Sequence, residues 1–170
     1  MFDTSGNTPL AGVIIIEHGK GVAASYAGRI LALLGATVIK LESPRDGDPS
    51  RYEPPFLSST GDSSALFNYL NVNKSSVTLD LSTKLGLDLL EELLDRATVF
   101  IDDTRPSDRS KLGIAPAAVC QRRPRLIYCS VLPFGALGPH SEYRAYELNV
   151  FHSGGEGYLI PNGLALEMFP

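Results

Sequence analysis

The run "VIIIEHGKGVAASYAGRILALLGATVIKLES", Val13 to Ser43, holds the residues whose types and spacing could do chemistry. Gly19-x-Gly21-x-x-Ala24 follows an apolar stretch, a helical pattern comes next, and a second apolar stretch closes on Glu42. A dinucleotide-binding βαβ unit reads this way: the glycines bring bare backbone to a diphosphate at a helix N-terminus, and the acid takes a ribose hydroxyl. Two features damage the fingerprint. Glu17 and His18 stand between the apolar stretch and Gly19, where the chain should leave the strand at once. A carboxylate at a strand end also sits badly beside a diphosphate. Each residue has a plainer reading: Gly19 and Gly21 permit a tight turn, and Glu42 is a solvated charge or an ion-pair partner.

The remaining chemical signals are sparse. Cys120 and Cys129 are the only cysteines, too few for a disulfide framework and spaced unlike a zinc site, so a reducing cytoplasm and two buried apolar fillers are expected. No metal site is expected. The formal charge of −4 gives no basic footprint for nucleic acid or an anionic membrane. The start "MFDTSGNTPLAG" lacks the basic and apolar regions of a signal peptide, and no apolar run reaches membrane-spanning length.

The elements that must position these residues follow from periodicity. With 170 residues, 44% of them hydrophobic, the chain is about one domain's worth and can bury a core. Strands are predicted at Val13–Glu17, Thr37–Leu41, "SVTLDL", "TVFID" and "RLIYCSV". Helices are predicted over Tyr26 to Leu34 with Tyr26, Ile30, Leu33 and Leu34 as the apolar stripe, over "SSALFNYLN", over Thr83 to Arg96, over "APAAVCQRR", and from "YRAYELNV". Between Ser43 and Asp62, four prolines and two glycines predict a long excursion over the surface. Strands alternating with helices imply an α/β fold with a parallel sheet, whose loops after Glu17, Leu41, Leu81, Ile101 and Val131 form one ligand-binding rim.

Taken together, "PLAGVIIIEHG", "YAGRILALLGATVIKLESPRDGDPSR", "NKSSVTLDLST", "RPSDRSKLGI", "PRLIYCSVLPFGALGP" and "AYELNVFHSGGEGYL" resemble the amino-terminal part of the family III CoA-transferases of the CaiB/BaiF type, which includes formyl-CoA:oxalate CoA-transferase. The resemblance implies a Rossmann-like open parallel sheet with helices on both faces, the incomplete large domain of such an enzyme. It places a lead-in at 1–10, the α/β domain at 11–160 and a truncated tail at 161–170. Coenzyme A, as acyl-CoA, is the implied ligand, with a carboxylic acid as second substrate and a homodimer as the full-length state.

Matched position by position, Val22, Ala23 and Ala24 fall on the turn that approaches CoA. Ser43, Leu79 and Ser82 fall near its nucleotide. Ser43 and Ser82 replace basic residues of some relatives, so a phosphate contact there loses charge assistance unless Arg45 or Lys84 compensates. The family's Asn-Phe pair after the fourth strand reads Asp103-Thr104, while Lys111 and Leu112 keep the basic-then-apolar pair that follows. Tyr146 matches a family tyrosine. Taken singly, Lys111 reads as solvated surface and Leu79 as core.

The family's chemistry uses an aspartate that attacks the thioester to form a mixed anhydride, dividing one hard step into easier ones. That aspartate is expected beyond residue 170, leaving Glu147 as an auxiliary carboxylate and the chain alone inactive. Related racemases carry a histidine where Tyr146 stands, since removing a proton beside a thioester needs a base titrating near neutrality. The alternatives left open are a non-catalytic CoA-binding remnant, a 2-methylacyl-CoA racemase-like protein and an NAD-binding oxidoreductase domain.

Overall fold

The computed structural model describes residues 8–58, 60–61 and 63–157. Most of the expected lead-in and all of the expected tail lie outside them. Two compact units emerge, residues 1–132 and 133–170.

The first unit is an α/β layer structure. Strands β1 (Ile14–His18), β2 (Thr37–Glu42), β3 (Lys74–Thr78), β4 (Val99–Asp102) and β5 (Ile127–Ser130) form one sheet in the order β3-β2-β1-β4-β5, and every neighbouring pair is parallel. Helix α1 (Ala23–Leu33) covers one face; α3 (Lys84–Arg96) and α5 (Pro116–Arg122) cover the other. Helix α2 (Ala65–Leu70) lies between β2 and β3 in the chain, and α4 (Pro106–Leu112) between β4 and α5.

Alternation along the strands divides the core. Ile15, Val38 and Ile101 pack on Ala24 and Ala32 of α1, while Ile16, Leu41 and Phe100 meet Leu90, Leu94 and Val119. Both faces of the central strands are thereby buried, which is why those strands read as continuous apolar runs.

Helix α1 inverts the expected stripe. Tyr26, Ile30 and Leu34 are each 42% exposed, whereas Ala24, Ser25, Gly28 and Ala32 are buried. The cause is proximity to the sheet: a Cβ on Gly28 would overlap the Glu17 carboxylate, so only small side chains fit between helix and strand.

Other boundaries move for equally local reasons. Strand β3 covers Lys74–Thr78 and not Ser76 to Leu81, because Asp80 turns the chain by accepting from the backbone and hydroxyl of Ser82. Leu79 and Leu81 keep the apolar alternation since both still pack on the α3-side core. The stretch from Ser43 is not purely a surface excursion. Its 3₁₀ turn, Pro49–Tyr52, buries Asp48 and Ser50. Helix α4 was not anticipated, although Pro106 at its first turn and Gly113 at its left-handed end are ordinary helix bounds. Cys129 is exposed and Cys120 half-buried, so neither is the buried filler expected of it: Cys129 lies on the edge strand β5 beside the exposed Ile127.

In the second unit, Phe134, His140 and Tyr143 form an aromatic cluster, with the rings of His140 and Tyr143 4.8 Å apart. Helix α6 (Glu147–Ser153) follows, and the Asn149 side chain accepts from the backbone N–H of Tyr146 at 2.7 Å.

Candidate functional site

The glycine turn after β1 carries its own anions. The Lys20 N–H donates to Asp103 Oδ2 at 2.6 Å, and the Gly21 N–H to Asp48 Oδ1 at 3.2 Å. Two amides that a diphosphate would need are therefore engaged by carboxylates from the loops after β4 and β2. Consecutive backbone amides at such a turn make an anion-binding concavity, and here side chains fill it.

Glu17 does not face the rim at all. Odd positions of β1 point to the α1 side, so Glu17 is fully buried there, bound to Lys40 Nζ at 2.9 Å and Lys74 Nζ at 2.7 Å. Lys40 also bonds Asp48 Oδ2, the Ser25 hydroxyl and the Gly19 carbonyl. Burial opposes its charge, yet Glu17 and Asp48 hold its pKa above the usual lysine value. Burial likewise works against ionised Asp48, but bonds from Lys40 and Ser50 keep that carboxyl below its ordinary range. Lys74 is pushed the other way, lowered by desolvation despite Glu17. Nearby, Arg51 donates twice to Glu42 at 2.7 Å and holds it below the usual carboxylate range. Glu42 is thus a buried ion-pair partner, the plainer of its two readings.

His18 and Asp102 point to the opposite face. They are register partners at the carboxyl ends of β1 and β4, and Nδ1 of His18 lies 3.0 Å from Asp102 Oδ1. Asp102 is fully buried and also accepts from Thr104 Oγ1 at 2.7 Å, Tyr128 Oη at 2.9 Å and the Arg109 guanidinium. Burial alone would raise its pKa; hydrogen bonds from His18 and Thr104 and the Arg109 charge hold it below normal. Next to it, Asp103 goes up to about 6, first because burial strips its solvent and then because Asp102 is a like charge; the Lys20 N–H only partly offsets this.

Two adjoining clefts open along this rim. The first, about 190 Å³, is bordered by Ser43, Leu79, Ser82 and Leu112, together with His18 and Lys20. The second is bordered by Asp103, Thr104, Arg105 and Asp108, again with His18, Lys20 and Leu112. Six residues matched to CoA contacts (Ser43, Leu79, Ser82, Asp103, Thr104 and Leu112) are thereby gathered at one sheet edge.

The other matched positions are placed differently. Val22 and Ala23 are exposed at the start of α1, and Ala24 is fully buried with its side chain against the space above Gly19. Lys111 points out and pairs with Asp108 at 2.7 Å. Arg45 borders a separate hollow with Arg51 and Tyr52, and Lys84 is exposed at the start of α3. Tyr146 is 66% exposed and Glu147 exposed, both in the second unit. No group of three or more His, Cys, Asp or Glu among the described residues could hold a metal ion.

Sequence reasoning missed His18, Lys20, Asp48 and Asp102. The available signal was the polar ending of two central strands, "EH" and "DD", since charges at strand ends beside a rim must be either paired or used.

Comparison with known proteins agrees with this architecture. The model of CoA-transferase family III matches residues 10–161. The succinate–glutarate CoA-transferase of Agrobacterium fabrum is 35% identical over 159 residues, covering 91% of this chain and 39% of the relative. The formyl-CoA:oxalate CoA-transferase of Streptomyces avermitilis is 33% identical over 146 residues, covering 86% and 35%. A CaiB/BaiF family protein from Brucella suis superposes with a TM-score of 0.80 at 37% identity, covering 88% of this chain and 40% of that one. The chain therefore spans well under half the length of these relatives, and its sheet order, its rim and this match together make it a member of CoA-transferase family III.

Proposed function

We propose that this chain supplies the CoA-binding edge of an enzyme that moves CoA between an acyl-CoA and a carboxylic acid. The observation that carries the reading is the gathering of Ser43, Leu79, Ser82, Asp103, Thr104 and Leu112 along two adjoining clefts. An adenosine diphosphate moiety laid across the carboxyl ends of a parallel sheet is the geometry such crevices accept.

In the proposed reaction an aspartate carboxylate attacks the thioester carbonyl and expels CoA thiolate, giving an acyl-aspartyl anhydride. The thiolate then attacks the aspartyl carbonyl, releasing the donor acid and leaving an aspartyl thioester. The acceptor carboxylate repeats both steps in reverse. The nucleophile lies on a segment outside this chain, with Glu147 as an auxiliary carboxylate, Tyr146 as a further CoA contact, the α1 turn at Val22 and Ala23 toward the reactive end of CoA, and the complete protein a cytoplasmic homodimer. By itself the chain binds CoA without turnover.

Titration calorimetry tests this directly. Heat on addition of CoA and none with NAD is expected; NAD binding without CoA binding would replace the reading with the oxidoreductase alternative. The engaged amides of Lys20 and Gly21 favour the first outcome. Acyl exchange by the isolated chain would overturn the placement of the nucleophile.

A further inference from the structure

We infer that His18, oriented by Asp102 and joined by Lys20, is the diphosphate-binding element of the rim; the inference rests on the CoA reading above and deepens it.

Position is the first argument. The chain runs from β1 outward to β2 and β3, then returns to place β4 on the other side of β1. The crevice of an open α/β sheet lies where the order reverses, here between β1 and β4. His18 and Asp102 are the register pair at the carboxyl ends of those two strands. Only His18, Lys20 and Leu112 border both clefts. A ligand long enough to occupy both must cross these three residues, two of which can carry positive charge.

Chemistry is the second. A carboxylate only accepts, so the His18 Nδ1 contact with Asp102 fixes the proton on Nδ1. That leaves Nε2 as the nitrogen toward the clefts, on a side chain 18% exposed. Once protonated, Nε2 donates a charge-assisted bond to a phosphate oxygen, which suits the ring's fixed aim. Buried Asp102 stabilises that imidazolium as a positioning residue, and Arg109 and Tyr128 hold Asp102 in turn.

Most of the surrounding acids are neutralised by cations of their own. Glu42 is bound by Arg51, Asp48 by Lys40, and Asp108 by Arg105 and Lys111. Asp80 holds Ser82. Lys20 makes no ion pair among the described residues and borders both clefts. Asp103 borders the second cleft and its charge opposes a phosphate; its pKa near 6 means that mildly acidic solution relieves that repulsion. Binding of a diphosphate should therefore tighten as pH falls from 7.5 to 5.5.

The test compares ADP, AMP and CoA on the intact 170-residue chain and on His18→Gln, whose fold is checked by circular dichroism. In the parent, ADP should bind more tightly than AMP. His18→Gln should weaken ADP and CoA by roughly tenfold and leave AMP within about twofold, as loss of one charge-assisted bond requires. Lys20→Met should act in the same direction. A readout needing no variant is the imidazole ¹⁵N spectrum: the His18 Nε2 resonance should move with ADP and stay with adenosine, while Nδ1 keeps its proton. Should the parent bind CoA and ADP while His18→Gln binds both equally well and Nε2 does not respond, the inference falls and the CoA reading stands. Should the parent bind neither, the CoA reading itself fails.

Discussion

Glu17 and His18 are neighbours in β1, yet the pleat sends them into two charge clusters of opposite character. On the α1 side, Glu17, Lys40, Lys74 and Asp48 close on one another with side chains at most 2% exposed. On the other side, Asp102 gathers Arg109, Tyr128, Thr104 and His18, and the last of these opens onto two clefts. Both clusters desolvate charge. The difference is that the first pairs its charges from within, while the second leaves one ring nitrogen unspent. A buried ion pair contributes little net stability compared with apolar packing, but losing one partner is costly. The closed cluster should thus behave as framework and the open one as a ligand-facing device.

The largest effect separating them is expected from Lys40→Met. It strands Asp48 and half of Glu17, so urea unfolding should show a loss of about 3–5 kcal/mol, and loss below about 1 kcal/mol would mean the cluster is not the framework claimed. Gly28→Ala comes next. Its Cβ meets the Glu17 carboxylate, and a destabilisation of roughly 1–3 kcal/mol by thermal melting is expected, the reverse of the gain that alanine usually brings to a helix interior.

Asp103→Asn addresses the open side and should act with pH. The folded-state pKa near 6 exceeds the ordinary value of 3.8, so the native state binds more protons between these limits and stability falls as pH rises through that window. Asparagine can still accept from the Lys20 N–H and carries no charge. Unfolding free energies from pH 4 to 7.5 should show the parent losing on the order of 2–3 kcal/mol relative to the variant; parallel profiles would remove Asp103 from the account. Smallest is Tyr128→Phe, which deletes bonds to Asp102 and the Ile114 carbonyl, both 2.9 Å. About 1 kcal/mol is expected by urea unfolding, and no measurable loss would mean that neither bond bears on the fold.

Much of this fold was legible beforehand, because period-two and helical patterns report burial directly. The five strands and the parallel rim follow from that pattern alone. What periodicity could not convey was which side of a helix meets the sheet. Tyr26, Ile30 and Leu34 make the more hydrophobic stripe, but the sheet accepts the Gly28 side because Glu17 already occupies the space. The resemblance placed the rim residues Ser43, Leu79, Ser82, Asp103, Thr104 and Leu112. His18 and Asp102 escaped because their partnership spans 84 positions in the chain and exists only once β1 and β4 lie side by side.

The two aspartates at the glycine turn carry a geometric consequence. Asp48 arrives from the loop after β2 and Asp103 from the loop after β4, and they grip consecutive peptide units. They act as staples across the first strand, so the spacing between those loops is set by the reach of two short side chains. Lengthening either one to glutamate would re-space the walls of the crevice.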